Sequence, residues 1–192
     1  MKCYVISHPE SRDISSCKKS LQKFGWDFEI YPAVDGWSLS AADWQKIGVK
    51  IGGGKIAARP GAQGCWHSHF DLWQRCIDLG QDIIVLEHDV LVTDCCPSMS
   101  DPDTLVKLYT TAPVKTHPIY GSWSKGSHAY ILTPKCADQL ITFARIHGAQ
   151  ALDKHLGDKV LPWRFYHKDL VLLNPARSRS STSTARCPWL RQ

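Results

Sequence analysis

Asp82-Ile83-Ile84-Val85-Leu86-Glu87-His88-Asp89 is the stretch that decides how this chain folds. Four apolar residues bounded by polar ones read as a buried strand of a parallel sheet. Alternation along the strand sends Glu87 and Asp89 to one side and His88 to the other. Two carboxylates at the C-terminal end of a buried strand are costly unless a cation or a substrate occupies the crevice there. Such oxygen ligands suit Mg²⁺ or Mn²⁺, with substrate phosphates completing the set. The plainer alternative is a strand that runs into a solvated acidic loop.

Directly upstream, Pro60 to Leu79 reads as the clearest helix, with Pro60 in its first turn and Gly80 ending it. Cys65, His69, Leu72 and Cys76 form one stripe, with Trp66, Phe70, Trp73 and Ile77 beside it. Nearer the N-terminus, Lys2 to Ser7 reads as a strand. A helix follows, with Ile14, Cys17, Leu21 and Phe24 at helical spacing and Gly25 at its end. Residues 28–31 form a second strand leading into Pro32-Ala33-Val34-Asp35-Gly36. This β-α-β opening predicts an α/β protein with a mostly parallel sheet. Residues 37–60 are less regular. Gly52-Gly53-Gly54 is a break rather than a phosphate loop, because no P-loop Lys-Ser/Thr pattern follows. Downstream, Ala129 to Leu132 reads as a strand, and Thr133-Pro134 starts a helix through about His147.

The 192 residues suffice for one domain with a real core and are short for two. A net charge of +5 without a long basic run suits an anionic small substrate as readily as nucleic acid. The N-terminal apolar patch is too short for a signal peptide or a membrane span, so a cytoplasmic protein is expected. Eight cysteines without C-x-x-C spacing read mostly as free core thiols. Residues 1–176 are expected to form the folded domain. The tail over 177–192, rich in Ser, Thr and Arg, reads as a flexible arm unless a ligand orders it.

Several separated pieces resemble glycosyltransferase family 25, which includes lipooligosaccharide glycosyltransferases and collagen galactosyltransferases. They are Tyr4-Val5-Ile6-Ser7 with Arg12 downstream, residues 32–36, Gly64-Cys65-Trp66-His67-Ser68-His69 followed by Leu72-Trp73, Val85-Leu86-Glu87-His88-Asp89-Val90, and Gly126-Ser127-His128-Ala129-Tyr130-Ile131-Leu132. The resemblance implies a GT-A-like, Rossmann-type mixed and mostly parallel sheet flanked by helices in a single domain. It also implies an inverting transferase that takes a UDP-sugar, most often of galactose or glucose, with a divalent cation, Mn²⁺ or Mg²⁺. The family's acidic motif is commonly Glu-Asp-Asp; here His88 stands in the middle. A second Arg that the family often carries in the first loop has no counterpart.

On that resemblance Asp89 is the expected metal ligand, with Glu87 as a ligand or its supporting partner. Arg12 is expected on the donor's phosphates or nucleotide, or is an ordinary surface residue. Asp35 holds the ribose or simply shapes the Asp-Gly turn. Ser68 and His69 are candidate contacts beneath the donor, and His69 reads equally as a satisfied core histidine. His67 faces elsewhere, so Cys65, His67 and His69 do not make a metal cluster within one helix. His128 is a candidate sugar or metal contact. Asp153 is the candidate base for the acceptor hydroxyl, or else a helix-capping Asp. Arg177 and Arg179 form either a lid over the diphosphate or part of a basic tail.

A saccharide, a glycolipid such as a lipooligosaccharide core, a protein hydroxyl and a modified nucleobase all present a hydroxyl this chemistry could use, and the sequence does not choose among them. Trp37, Trp44, Trp123 and Trp163 suit stacking on a sugar, or packing in the core. Two competing functions remain: a nucleotide-sugar or glycan-binding protein that has lost turnover, motivated by His88, and a Cys/His metal module that binds nucleic acid. Scattered cysteines speak against the second.

Overall fold

The computed structural model describes residues 1–9, 14–54, 56–97, 102–109, 113–125 and 127–174. Strand β1 (Lys2–Ser7), helix α1 (Ile14–Lys23) and strand β2 (Phe28–Pro32) make the expected β-α-β unit, and Gly25 takes the left-handed conformation (φ 68°) that ends α1. A short helix α2 (Ala41–Ile47) follows, closed by a capping box between Ser40 and Asp43. Helix α3 (Pro60–Leu79) then leads into β3 (Ile83–Glu87).

β3 ends in a turn at His88 and Asp89, after which come β4 (Val90–Val92), β5 (Leu105–Lys107) and a hairpin of β6 (Val114–His117) and β7 (Gly121–Ser124). The chain continues through β8 (Ala129–Leu132), α4 (Pro134–His147), α5 (Leu152–His155), β9 (Trp163–Phe165) and β10 (Val171–Leu173). Thr133 caps α4 by accepting the Cys136 N–H at 3.2 Å.

Six strands form the main sheet in the order β2-β1-β3-β8-β5-β9. Only β8 runs against its neighbours, so the sheet is mixed and mostly parallel. β4 and β10 pair separately. Strand alternation divides the interior in two. Tyr4, Ile6, Ile83, Val85, Tyr130 and Leu132 face α3 and α4. Cys3, Val5, Ile84, Leu86, Ala129 and Ile131 face α1 and the β4–β10 pair.

Two glycines bring residues 34–36 against the first turns of α3. A Cβ on Gly36 would stand 1.7 Å from the Pro60 carbonyl oxygen, and one on Gly64 would stand 2.3 Å from that of Val34. The loop after β2 is thereby locked to the helix that precedes β3. The seven described cysteines are all free thiols. Among the described residues no helix is long and apolar enough to cross a membrane.

Candidate active site

The C-terminal ends of β1, β2 and β3 lie side by side, and the chain leaves β1 for β2 on one side while β3 pairs on the other. Ligands of open α/β sheets bind outside strand ends at such a reversal. Alternation places Glu87 on the α3 face, two residues beyond Val85. There its Oε1 lies 3.7 Å from His69 Nε2, and its side chain remains 22% exposed. His69 itself is fully buried. Its Nδ1 shares a 2.8 Å hydrogen bond with the Tyr130 hydroxyl, which also accepts the Trp73 indole N–H at 2.9 Å. Burial opposes ionisation of Glu87, but the His69 imidazole, with His128 and His88 nearby, outweighs it and holds the carboxyl below its ordinary range.

Asp89 is placed differently from the strand-alternation expectation. The strand stops at Glu87, and Asp89 sits in the following turn, its carbonyl accepting the Asn174 N–H at 2.8 Å. Its carboxylate nevertheless acts on the same neighbourhood. Burial, followed by Glu87, Asp153 and Asp89, pushes the Cys65 thiol well above its ordinary range. The charges of three carboxylates, from β3, the turn after it and α5, therefore reach one thiol.

Asp153 lies in the first turn of α5, whose N-cap is Ala151, so the capping alternative does not hold. Its Oδ1 accepts the Ser127 N–H at 3.1 Å. The next residue, His128, accepts the Glu87 N–H on its carbonyl at 2.9 Å. Asp153 is thus hydrogen-bonded to Ser127, and the adjacent His128 to the end of β3. The His128 ring packs edge-on against Tyr109, with centroids 4.7 Å apart.

Asp35 is exposed and shapes its turn: Oδ1 accepts the Trp37 N–H, and its carbonyl accepts the N–H and hydroxyl of Ser38. Ser68 is fully buried; its hydroxyl accepts the Val34 N–H at 2.8 Å and donates to the Gly64 carbonyl at 2.7 Å. Its position is a strut under the loop after β2. Arg12, Arg177 and Arg179 lie outside the described residues. Of the tryptophans read as sugar platforms, Trp44 is core, packed at a tilt against Trp66, whereas Trp37 is exposed. Trp163 is half-buried beneath the Lys107 ammonium, 4.2 Å from its ring centre.

Lys107 is the residue that sequence reading missed. It is fully buried, and its Nζ donates to the carbonyl and hydroxyl of Ser124 at 3.2 Å each. Burial lowers its pKa to about 8, against the pull of Asp153. A lysine in Leu105-Val106-Lys107-Leu108, a short run otherwise apolar, was the available signal.

Two donor sets for cations share Glu87. The carboxylates of Glu87 and Asp89 offer the oxygens that Mg²⁺ or Mn²⁺ take. In addition, ligand atoms of Cys65, His69 and Glu87 all lie within 4.8 Å of one another. A shallow groove of about 460 Å³ beside the β6–β7 hairpin shares no lining residue with this cluster.

Comparison with known proteins agrees with this architecture. The chain is 35% identical over 97 residues to a Glycosyltransferase 25 family member of Aedes aegypti, covering 45% of this chain and 16% of that protein. A homologue with the same description from Anopheles gambiae is 35% identical over 79 residues, covering 38% of this chain and 13% of its own length. The chain thus matches only a small part of either relative. Its fold resembles the crystal structure of a glycosyltransferase involved in the glycosylation of the major capsid of PBCV-1 (TM-score 0.51, 10% identity), over 93% of this chain and 94% of that one. The fold is accordingly GT-A-like. Residues 1–103, more than half of the chain and including β1, α3 and the Glu87-His88-Asp89 turn, match the family model Glycosyltransferase family 25 (LPS biosynthesis protein), and the chain belongs to that family.

Proposed function

We propose that the chain transfers a hexose from a nucleotide sugar, with UDP as the nucleotide, to a hydroxyl of a saccharide, glycolipid or protein acceptor, with inversion at the anomeric carbon. The observation that carries this reading is a pair of hydrogen bonds through adjacent residues: Ser127 N–H donates to the Asp153 carboxylate, and Glu87 N–H donates to the His128 carbonyl. They gather a carboxylate base, an imidazole and the acidic strand end outside the sheet's C-terminal edge.

Glu87 and Asp89 would hold a divalent cation, Mn²⁺ or Mg²⁺, which when bound neutralises the diphosphate and eases its departure. Asp153 takes the acceptor's hydroxyl proton as that oxygen attacks the anomeric carbon. The carbon–oxygen bond to the diphosphate breaks, and the nucleoside diphosphate leaves with the bonding pair. Ser127 N–H orients Asp153. His128 faces the sugar, while the loop held by Ser68, with Asp35, lines the nucleoside side. Arg12 and Arg177 are proposed diphosphate contacts.

A thermal-shift and hydrolysis screen of UDP-, GDP- and CMP-sugars, with Mn²⁺ and with chelator, tests this. Metal-dependent stabilisation by one donor, slow hydrolysis, and loss of both in Asp89→Ala are expected. One feature favours a second reading: His88 stands in the half-buried turn where the family resemblance implies a carboxylate. Tight donor binding without turnover, even with acceptor hydroxyls supplied, would favour a binding protein.

A further inference from the structure

We propose that Cys65, His69 and Glu87 form a binding site for a soft divalent cation of the zinc class, beneath the end of β3. Cys65 and His69 are one helical turn apart on α3 and present their side chains on one face. Glu87 reaches the same point from the sheet, so the site joins two elements.

The state of His69 points to a ligand. The side chain is fully buried, yet its Nε2 has no hydrogen-bond partner among the described residues and is aimed at Glu87. The other ring nitrogen is held by the Tyr130 hydroxyl, itself fixed by Trp73. Metal-ligating histidines characteristically have the second nitrogen bound in this way, which fixes ring direction and tautomer. With the proton on Nδ1, Nε2 carries the lone pair toward Cys65 and Glu87.

The spacing also fits. Tetrahedral zinc, with bonds of about 2.0–2.3 Å, sets its ligand atoms about 3.3–3.7 Å apart. His69 Nε2 and Glu87 Oε1 already stand 3.7 Å apart. All three ligand atoms lie within 4.8 Å of one another, so reaching tetrahedral spacing takes a shift of at most about 1 Å. Cys65 binds as the thiolate and its proton passes to solvent. Thiolate and imidazole select zinc-class ions over Mg²⁺ and Mn²⁺, so this site differs in ligand chemistry from the proposed oxygen-ligand site. Three protein ligands leave the fourth position to water. His67 takes no part, since its ring faces Asp71 and Trp44.

The test is titration of the metal-free full chain with Co²⁺ in the absence of any sugar donor, so it is independent of transfer activity. One equivalent giving tetrahedral visible bands and a near-ultraviolet thiolate-to-metal band, displaced by Zn²⁺, is the expected result. Cys65→Ser, folded by circular dichroism, loses the thiolate band, and Glu87→Gln weakens Co²⁺ binding. The exposed Cys95→Ser keeps the band. A wild-type chain without the band, a folded Cys65→Ser that retains it, or its loss in Cys95→Ser would overturn the proposal.

Discussion

His69 and His155 are both fully buried on the α3 side of the sheet, and Trp73 serves both, yet their surroundings are opposite. His69 has one nitrogen held by Tyr130 and the other directed at a carboxylate. His155 sits among Trp66, Trp73, Tyr120 and Phe143, with neither ring nitrogen hydrogen-bonded among the described residues. Burial lowers its pKa to about 3, with His147 adding to the effect, so it is a neutral ring at physiological pH. Burial therefore does not mark a site in this molecule. What separates the two histidines is whether polar partners converge on the ring from a second element.

The strongest way to break that comparison is Glu87→Gln. It removes the charge around which His69, His88 and His128 gather, and donor turnover is expected to fall about 10²- to 10³-fold with the melting temperature little changed. Initial rates with the donor found by screening check this. Turnover within ten-fold of wild type would move the chemistry elsewhere.

His155→Phe tests the other region. The unfolded chain protonates His155 near pH 6.5, whereas the folded chain keeps it neutral down to about pH 3. Wild-type stability therefore falls as pH drops through that window, by about 1.4 kcal/mol per unit. The Phe variant lacks this loss and should exceed wild type by about 3 kcal/mol at pH 4. Urea unfolding at pH 7, 5.5 and 4 measures it; parallel curves would mean that the cage admits a proton.

Lys107→Met sharpens the contrast with a buried base that does have partners. Folding lowers the lysine pKa to about 8, so wild-type stability should rise between about pH 8 and pH 10.4, where the unfolded chain still holds the proton. The variant should be flat across that range and at pH 7 more stable by up to about 3 kcal/mol, less what the lost Ser124 bonds contribute. The smallest effect is expected from Tyr130→Phe. Without the hydroxyl, the Trp73 N–H and His69 Nδ1 lose their partner, at about 1–3 kcal/mol in thermal or urea melts.

Much of the frame was readable before the structure. β1, α3 and β8 fall at the expected residues, and α4 begins after its Thr133 cap, because buried periodicity and end signals agreed there. α2 went unread since its seven residues bury only Trp44 and show no repeat. β4, β5, β9 and β10 have three residues each, too few to display alternation. Their partners are distant: Val92 pairs with Val171, and Leu105 with Trp163. For the candidate site, Glu87 and His69 were legible as residue types in motifs, and Asp153 only by its place after the Ala129–Leu132 strand and the helix that follows. The turn that holds Asp89 and the use of Ser68 as a strut were not.

By itself the sequence determined the α/β class, the family and the acidic strand end, because each is written in neighbouring residues through local periodicity or a short ordered motif. Only the tertiary structure decided that Ser127 and His128 link Asp153 to Glu87, that Lys107 lies in the core, and that Cys65 and His69 meet the strand end. Those relations join residues far apart in the chain, and sheet order and helix packing fix them.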